Sequence, residues 1–244
     1  MPQRIVIDPT QKQNQLVTFT KPQQHYLYRV LRLQAGDQII VLDGQGGNWL
    51  VAITGAGEVA GEILEPWEVD NELPTKVTLM VALPKNGFDE VVYQATELGV
   101  RRVIPVISDR TLLRPSPNKI QRWRAIAQEA TEQSERRIVP QILDPLTFQA
   151  SLDLTANLKH KYICTPRQNA PYLSNLLLEA DFLPELAELA ELAILTGCEG
   201  GFTEQEVEQA IAYNFQPVSL GKRILRAVTA PLVALALITS KLDS

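Results

Sequence analysis

Cysteine and histidine are scarce in this chain, and each scarcity excludes some chemistry. Two cysteines, Cys164 and Cys198, among 244 residues make no disulfide framework and fit a reducing compartment. The two histidines, His25 and His160, build no metal cluster, so no metal is expected; a histidine at a helix start, as at 25, reads as structural or capping. The longest apolar run, residues 231–238, falls far below the ~20 residues that span a bilayer. The opening MPQRIVID lacks the charged start and apolar stretch of a signal peptide, so a soluble cytoplasmic protein with no membrane partner is expected. Excess positive charge is absent too: a net charge of -5 argues against indiscriminate nucleic-acid binding, which depends on phosphate neutralisation. After the strand candidate at 76–83 the chain reads LPKNG rather than G-x-G-x-x-G, which argues against a nucleotide-binding oxidoreductase.

What is present is an uneven charge distribution on a chain able to bury a core, with 45% hydrophobic residues. Residues 1–37 carry five Lys and Arg against two Asp, whereas residues 38–72 carry seven acids and no base. Residues 73–140 are basic, 141–217 acidic, and 218–244 basic again. Acidic faces turned away from RNA and basic faces toward it would make a selective binder.

Residues 1–72 read as a small β-rich domain, with strands expected at 4–7, 16–19, 38–42, 49–53 and 59–64. A helix is expected over 25–33, with Tyr26, Val30 and Leu33 on its inner face and Arg29 and Arg32 opposite. Such a compact barrel suits RNA binding, although solvated surface arginines would give the same pattern. The polar, proline-bracketed stretch 65–74 reads as a linker. Strand 76–83, helix 88–98 stopped by Gly99, and strand 102–107 then form a βαβ unit and hence a parallel sheet. A basic helix follows over 116–134, with Ile120, Trp123, Ile126, Ala127 and Ala130 on one face. Further strands are expected at 138–143 and 162–165. The repeated ELAELAELA within the leucine-rich, acidic region is too short for a coiled coil and suits an amphipathic surface helix over 171–190. The alternation implies about five or six parallel strands with helices on both faces, and by topology rules alone an open doubly wound sheet.

Two glycine-bearing turns stand near the end. TGCEGGFT, residues 196–203, follows a short apolar strand candidate, and Thr203 starts a helix with Glu204 and Glu206 in its first turn. SLGKRILRAVTA, residues 219–230, runs into the apolar PLVALALI. Strand, glycine turn and helix is a common layout for a small-molecule site, because glycine permits close approach of a ligand to the backbone.

Together GCEGGFT and LGKRILRAVTAPLVAL resemble the C-terminal signature of the SPOUT methyltransferases, specifically the RsmE family. HYLYRVLRLQAGD (25–37), LPKNGFDEVVYQATELGV (83–100) and RWRAIAQEATEQSERRIVP (122–140) extend the resemblance in the family's order across nearly the whole chain. The resemblance implies an α/β protein with a PUA-like β-barrel domain over 1–72 and a SPOUT domain over 73–244, its C-terminal segment tucked through a loop as a trefoil knot. It implies transfer of a methyl group from S-adenosylmethionine (SAM) to ring nitrogen 3 of a uridine in 16S ribosomal RNA of the small subunit. The cofactor would be held by three loops: Thr165 and Pro166; Thr196, Gly197, Glu199, Gly200 and Gly201; and Leu220, Gly221, Ile224, Leu225 and Arg226. Leu220, Ile224 and Leu225 would wall the adenine. Arg226 would face the base or the cofactor carboxylate, and Glu199 would accept a proton or organise the loop; structural pairing of Arg226 with Glu199 is the alternative. Arg4, Arg29, Arg32 and Lys85 are expected to contact RNA. The family's site lies at a homodimer interface in the C-terminal domain, and the apolar 231–238 stretch fits either that or an ordinary buried helix. Two departures fall inside the site: Cys198 replaces the proline of GPEGG, and Ala227-Val228 replace the Thr-Glu of ILRTETA. Cys198 is expected to be a packing residue, since methyl transfer to nitrogen needs no enzyme nucleophile. The departures keep two alternatives open, a catalytically silent RNA-binding protein and a SPOUT enzyme with another RNA target.

Overall fold

A computed structural model of the chain describes residues 2–55, 61–69, 71–165, 170–178 and 191–243. The chain divides into two compact units, one of residues 1–72 with 131–139 and one of residues 73–130 with 140–244. The return of 131–139 to the first unit is something a division at one linker does not contain.

The first unit holds β1 (Arg4–Val6), β2 (Lys12–Gln13), β3 (Leu16–Val17), α1 (Lys21–His25), a π-turn (Tyr26–Val30), β4 (Gln38–Leu42), β5 (Asn48–Ile53) and β6 (Gly61–Pro66). Its strands form one six-stranded sheet in the order β1-β4-β5-β6-β3-β2, parallel between β1 and β4 and antiparallel elsewhere. Alternation along β4 explains its unbroken apolar sequence. Ile39 and Val41 enter a core with Ile5, Ile7, Val17, Phe19, Leu27, Val51, Ile53 and Ile63, while Ile40 and Leu42 pack with Val6, Trp67 and Val139 on the other side. Arg136, 3% exposed along its side chain, makes a charged pair with Glu72, and Glu72 also accepts the backbone N–H groups of Arg137 and Ile138. Those bonds fasten 136–138 to the end of the 65–74 stretch.

The expected 25–33 helix is corrected. It starts earlier, because Thr20 and Gln23 form a capping box ahead of Lys21. It then widens to a π-turn closed by Leu31 N–H donating to Tyr26 O at 2.9 Å. The wider turn rotates the inner face onto Leu27, with Tyr28, Leu31 and Leu33 packed against the core, and leaves Tyr26 and Val30 exposed.

The second unit holds β7 (Lys76–Ala82), α2 (Phe88–Glu97), β8 (Arg102–Ile107), α3 (Pro117–Gln133, whose last turn falls in the first unit), β9 (Gln141–Ile142), β10 (Leu146–Thr147), α4 (Phe148–Leu154), β11 (His160–Cys164), α5 (Leu173–Leu176), β12 (Glu191–Thr196), α6 (Glu204–Ala212), β13 (Gln216–Val218) and α7 (Thr229–Leu242). All pairings are parallel, in the order β10-β8-β7-β12-β11-β13 with β9 also on β8. The expected 138–143 strand shrinks to β9, since 138 and 139 belong to the first unit. Of the helix expected over 171–190, α5 is described, 179–190 lie outside the described residues, and the last third of ELAELAELA opens β12.

β7 and β12, central and covered on both faces, are buried almost throughout, which is why they read as continuous apolar runs. α2 presents Phe88, Val91, Val92 and Ala95 inward and ends at Gly99, whose φ of 85° suits a helix stop. Its Phe88 packs edge-on against Trp123 of α3, and Trp123 donates its indole N–H to Asp89 at 2.8 Å. α7 packs on α2 and over β7 and β12, with Thr239 donating to Leu98 O at 2.8 Å. The chain runs outward from β7 to β8, later returns to β12 beside β7, and so reverses direction between those two strands. In open parallel sheets ligands bind at the carboxyl ends of strands flanking such a reversal.

Candidate functional site

At those carboxyl ends the two glycine turns meet the turn after β7 and the end of β11. Thr196 closes β12 fully buried. Gly201 N–H then donates to Cys198 O at 2.9 Å, with Gly201 at φ 66°, in the left-handed region that glycine adopts without penalty. Thr203 caps α6 through a capping box with Glu206, a carboxylate only 3% exposed. Cys198 is buried, its Sγ 3.9 Å from Gly201 O and 4.0 Å from Ser108 Oγ. Glu199 is exposed, and its Oε1 accepts the backbone N–H of Lys85 at 3.0 Å.

The second turn is fixed at its start. Ser219 N–H donates to Pro171 O and Leu173 N–H to Ser219 O, both at 2.9 Å, and Ser219 Oγ accepts the Gly221 N–H at 3.3 Å. A cavity of about 220 Å³ opens here, lined by Tyr172, Ser174, Ser219 to Arg223 and Leu237. Farther along, Val228 lies against the turn after β7, where a Cβ on Gly87 would stand 2.9 Å from Val228 Cγ1. Thr165, at the end of β11, donates its N–H to Val218 O at 2.9 Å and keeps a buried hydroxyl without a hydrogen-bond partner among the described residues. Beside it the Cys164 thiol is fully buried, and burial pushes its pKa up to about 12, so it is no nucleophile at neutral pH.

The expected site residues are thus gathered only in part. Leu220 and Gly221 line the cavity; Thr196, Gly197, Gly200 and Gly201 belong to the neighbouring turn, and Pro166 lies outside the described residues. Ile224 is 68% exposed and is not among the residues that line the cavity. Arg226 is exposed, and no ion pair joins it to Glu199 among the described residues. Lys85 is exposed, and so are Arg29 and Arg32, the latter at φ 59°, a conformation rare outside glycine. Arg4 makes a two-pronged pair with Glu135, at 2.8 and 2.7 Å, and its side chain is only 10% exposed. Sequence reasoning missed Arg110, which donates to the carbonyls of Gly200 and Phe202. The available signal was position, a polar Ser-Asp-Arg-Thr run at the carboxyl end of a parallel strand.

Residues 71–239 match the family model described as an RNA methyltransferase domain, and residues 19–64 the one described as an RNA methyltransferase PUA domain. Fold and matches together define an RNA methyltransferase with a PUA-like N-terminal domain and a SPOUT-type catalytic fold. The ribosomal RNA small subunit methyltransferase E of Synechocystis sp. is 47% identical over 246 aligned positions, covering 100% of this chain and 79% of that protein. The enzyme of the same name from Bacillus subtilis is 31% identical, covering 97% and 96%. A crystal structure of ribosomal RNA small subunit methyltransferase E from Neisseria gonorrhoeae, bound to SAM, superposes with a TM-score of 0.85 at 30% identity, covering 98% of each chain. The chain belongs to the ribosomal RNA small subunit methyltransferase E (RsmE) family.

Proposed function

We propose that this protein transfers the methyl group of SAM to ring nitrogen 3 of a uridine in 16S ribosomal RNA of the small subunit. The observation that carries the reading is the full-length membership of the RsmE family, with both signature turns at the strand ends where parallel sheets bind ligands. The residues fit the cofactor. Among the described residues, chain neighbours aside, no atom lies within 4 Å of a Cβ built on Gly201 or Gly221, leaving room for close approach, and the buried Thr165 hydroxyl has no hydrogen-bond partner. Thr165 and Pro166, Thr196 to Gly201, and Leu220 to Arg226 would hold it. When bound, SAM supplies an activated methyl group on a sulfonium.

The protein's own work is alignment and charge control. Uracil N3 carries a proton and is a poor nucleophile; that proton leaves to solvent as the N3–CH3 bond forms and the C–S bond of the sulfonium breaks, so negative charge spreading onto the flanking carbonyl oxygens must be stabilised. The exposed guanidinium of Arg226, in no ion pair among the described residues, suits that task, being always charged with donors in a fixed fork. Glu199, bonded to the Lys85 backbone, acts as organiser of the loop. Arg29, Arg32 and Lys85 contact RNA. Residues 1–72 serve as the RNA-binding domain and 73–244 as the knotted methyltransferase domain. Two copies associate through the C-terminal domain: α7 leaves Leu232, Val233 and Leu237 half-buried and Ala236 exposed, an apolar face that a second copy would cover while shielding Ile224.

The reading places the enzyme in the cytoplasm, where its ribosomal RNA substrate lies. No described helix is long and apolar enough to cross a membrane, and no three His, Cys, Asp or Glu side chains among the described residues are grouped to hold a metal. The test is methyl transfer from labelled SAM to small subunits lacking the modification, followed by nucleoside digestion and mass spectrometry. Appearance of 3-methyluridine is expected. No product with SAM binding intact would point to another RNA target, and loss of both would favour a silent RNA-binding protein.

A further inference from the structure

Glycine-rich turns lose more conformational freedom on ordering than any other backbone, yet the turn at 197–203 is held from outside itself. The loop after β8 is braced: Ser108 N–H donates to Thr111 Oγ1 at 3.1 Å, Thr111 N–H donates to Ser108 O at 3.0 Å, and the two hydroxyl oxygens lie 2.9 Å apart, both side chains buried. Arg114 closes the loop's far side through Thr111 O at 2.9 Å. From this brace Arg110 Nη1 donates to Gly200 O at 2.6 Å and to Phe202 O at 3.2 Å. The arginine stem fills the place of a side chain at 200, where a Cβ would stand 3.0 Å from Arg110 Cδ and 3.1 Å from its Cβ. Next to it, Asp109 N–H donates to Glu206 Oε1 at 2.9 Å, and Glu206 Oε2 accepts the Thr203 N–H at 2.8 Å. One rigid strap, 108–111, thus grips the turn at three points.

We infer that Arg110 is a positioning residue: its guanidinium, through the carbonyls of Gly200 and Phe202, keeps the turn in its SAM-accepting shape before SAM arrives. The inference rests on the reading of 196–201 as a cofactor loop. A turn already ordered spares the ligand the cost of ordering it, so the clamp acts on cofactor affinity. In this role it acts through the turn rather than on RNA or the transferred methyl group.

The test compares full-length wild type with Arg110→Ala and Arg110→Lys, measuring SAM affinity by calorimetry, KM for SAM and for small subunits, kcat, and the thermal midpoint. Loss of a charged donor to two carbonyls is expected to weaken SAM binding about 10- to 100-fold. KM for subunits should stay unchanged, Arg110→Lys should fall between, and added methylguanidinium should recover part of the affinity of Arg110→Ala. SAM affinity of Arg110→Ala equal to wild type would overturn the inference. So would weakened binding accompanied by a lower midpoint, an equal loss of RNA affinity and no rescue, the pattern of general destabilisation. Should Arg110→Ala not fold, Arg110→Lys decides: SAM affinity equal to wild type overturns the clamp. A wild type that binds no SAM overturns the cofactor-loop reading itself, a result separate from either variant's.

Discussion

Glu199 distinguishes organisation from chemistry. Its Oε1 accepts the Lys85 backbone N–H at 3.0 Å, which ties the turn after β7 to the turn after β12. Glu199→Gln keeps an acceptor oxygen at that place and removes the charge, whereas Glu199→Ala removes both. In an exposed loop such a bond, net of competition with water, contributes about 0.5 to 1.5 kcal/mol. At tenfold per 1.4 kcal/mol, Glu199→Ala should therefore lower kcat/KM by roughly 2- to 12-fold, with Glu199→Gln close to wild type. A residue that took the proton from uracil would behave differently, since removing a general base costs about 100- to 10,000-fold and Gln is no better a base than Ala. Initial rates of methyl transfer for all three proteins, from neutral to mildly alkaline pH, separate the cases. Glu199→Gln falling as far as Glu199→Ala, with a changed pH profile in both, would refute the organising role.

Gly87→Ala places a β-carbon at φ 83° and 2.9 Å from Val228 Cγ1, which should cost about 1 to 2 kcal/mol of strain and a similar amount of overlap. Val228→Ala in the same chain should return part of the loss, and strictly additive midpoints in thermal melts would contradict the contact. Arg32→Gly relieves a left-handed arginine and tests the proposed phosphate contact by removing its guanidinium. RNA binding should weaken, the slope of log K against log salt should fall by about one, and stability should hold or rise; unchanged RNA affinity would remove Arg32 from the interface. The Cys164 thiol, raised from 9.0 to about 12 by burial, stays protonated in the folded state where an unfolded chain ionises. Its contribution to stability is complete below pH 9.0 and is lost as pH rises toward about 12. In native protein at neutral pH iodoacetamide should leave Cys164 unlabelled, and rapid labelling would contradict its burial.

How much of this was legible in sequence depends on whether the signal was local. The parallel sheet announced itself because β7 and β12 are buried on both faces and therefore apolar without interruption. Helix α6 was legible from Thr203 and its acidic first turn, and α2 from Gly99 at its end. The inner face of the 25–33 segment was misread because a 3.6-residue period cannot anticipate a π-turn, which exchanges Tyr26 and Val30 for Leu27 and Leu31. Arg4, Glu72 and Arg136 look like surface charges in a string of letters, yet Arg4 and Arg136 are consumed by partners 131 and 64 positions away. Nothing in spacing places β12 between β7 and β11, and so nothing in spacing tells that Arg110 reaches Gly200.

The two departures from the family signature bear on whether the site still works, and both are absorbed by packing. Cys198 turns its sulfur inward, near Ser108 and Gly201, while its carbonyl still closes the turn through the Gly201 N–H; the proline ring it replaces is not required for that closure. Ala227 is buried, and Val228 sets a methyl against Gly87, whose missing Cβ leaves space for it. A glutamate at 228 would bring a carboxylate to that contact; the valine brings an apolar one. The polar ties between loops run elsewhere, from Glu199 to the Lys85 backbone and from Arg110 to Gly200 and Phe202. Loop alignment therefore does not depend on the missing carboxylate, and alignment of donor and acceptor is where much of the acceleration of a displacement reaction arises. On that ground the substitutions predict an enzyme that turns over, with Arg226 exposed and in no ion pair among the described residues.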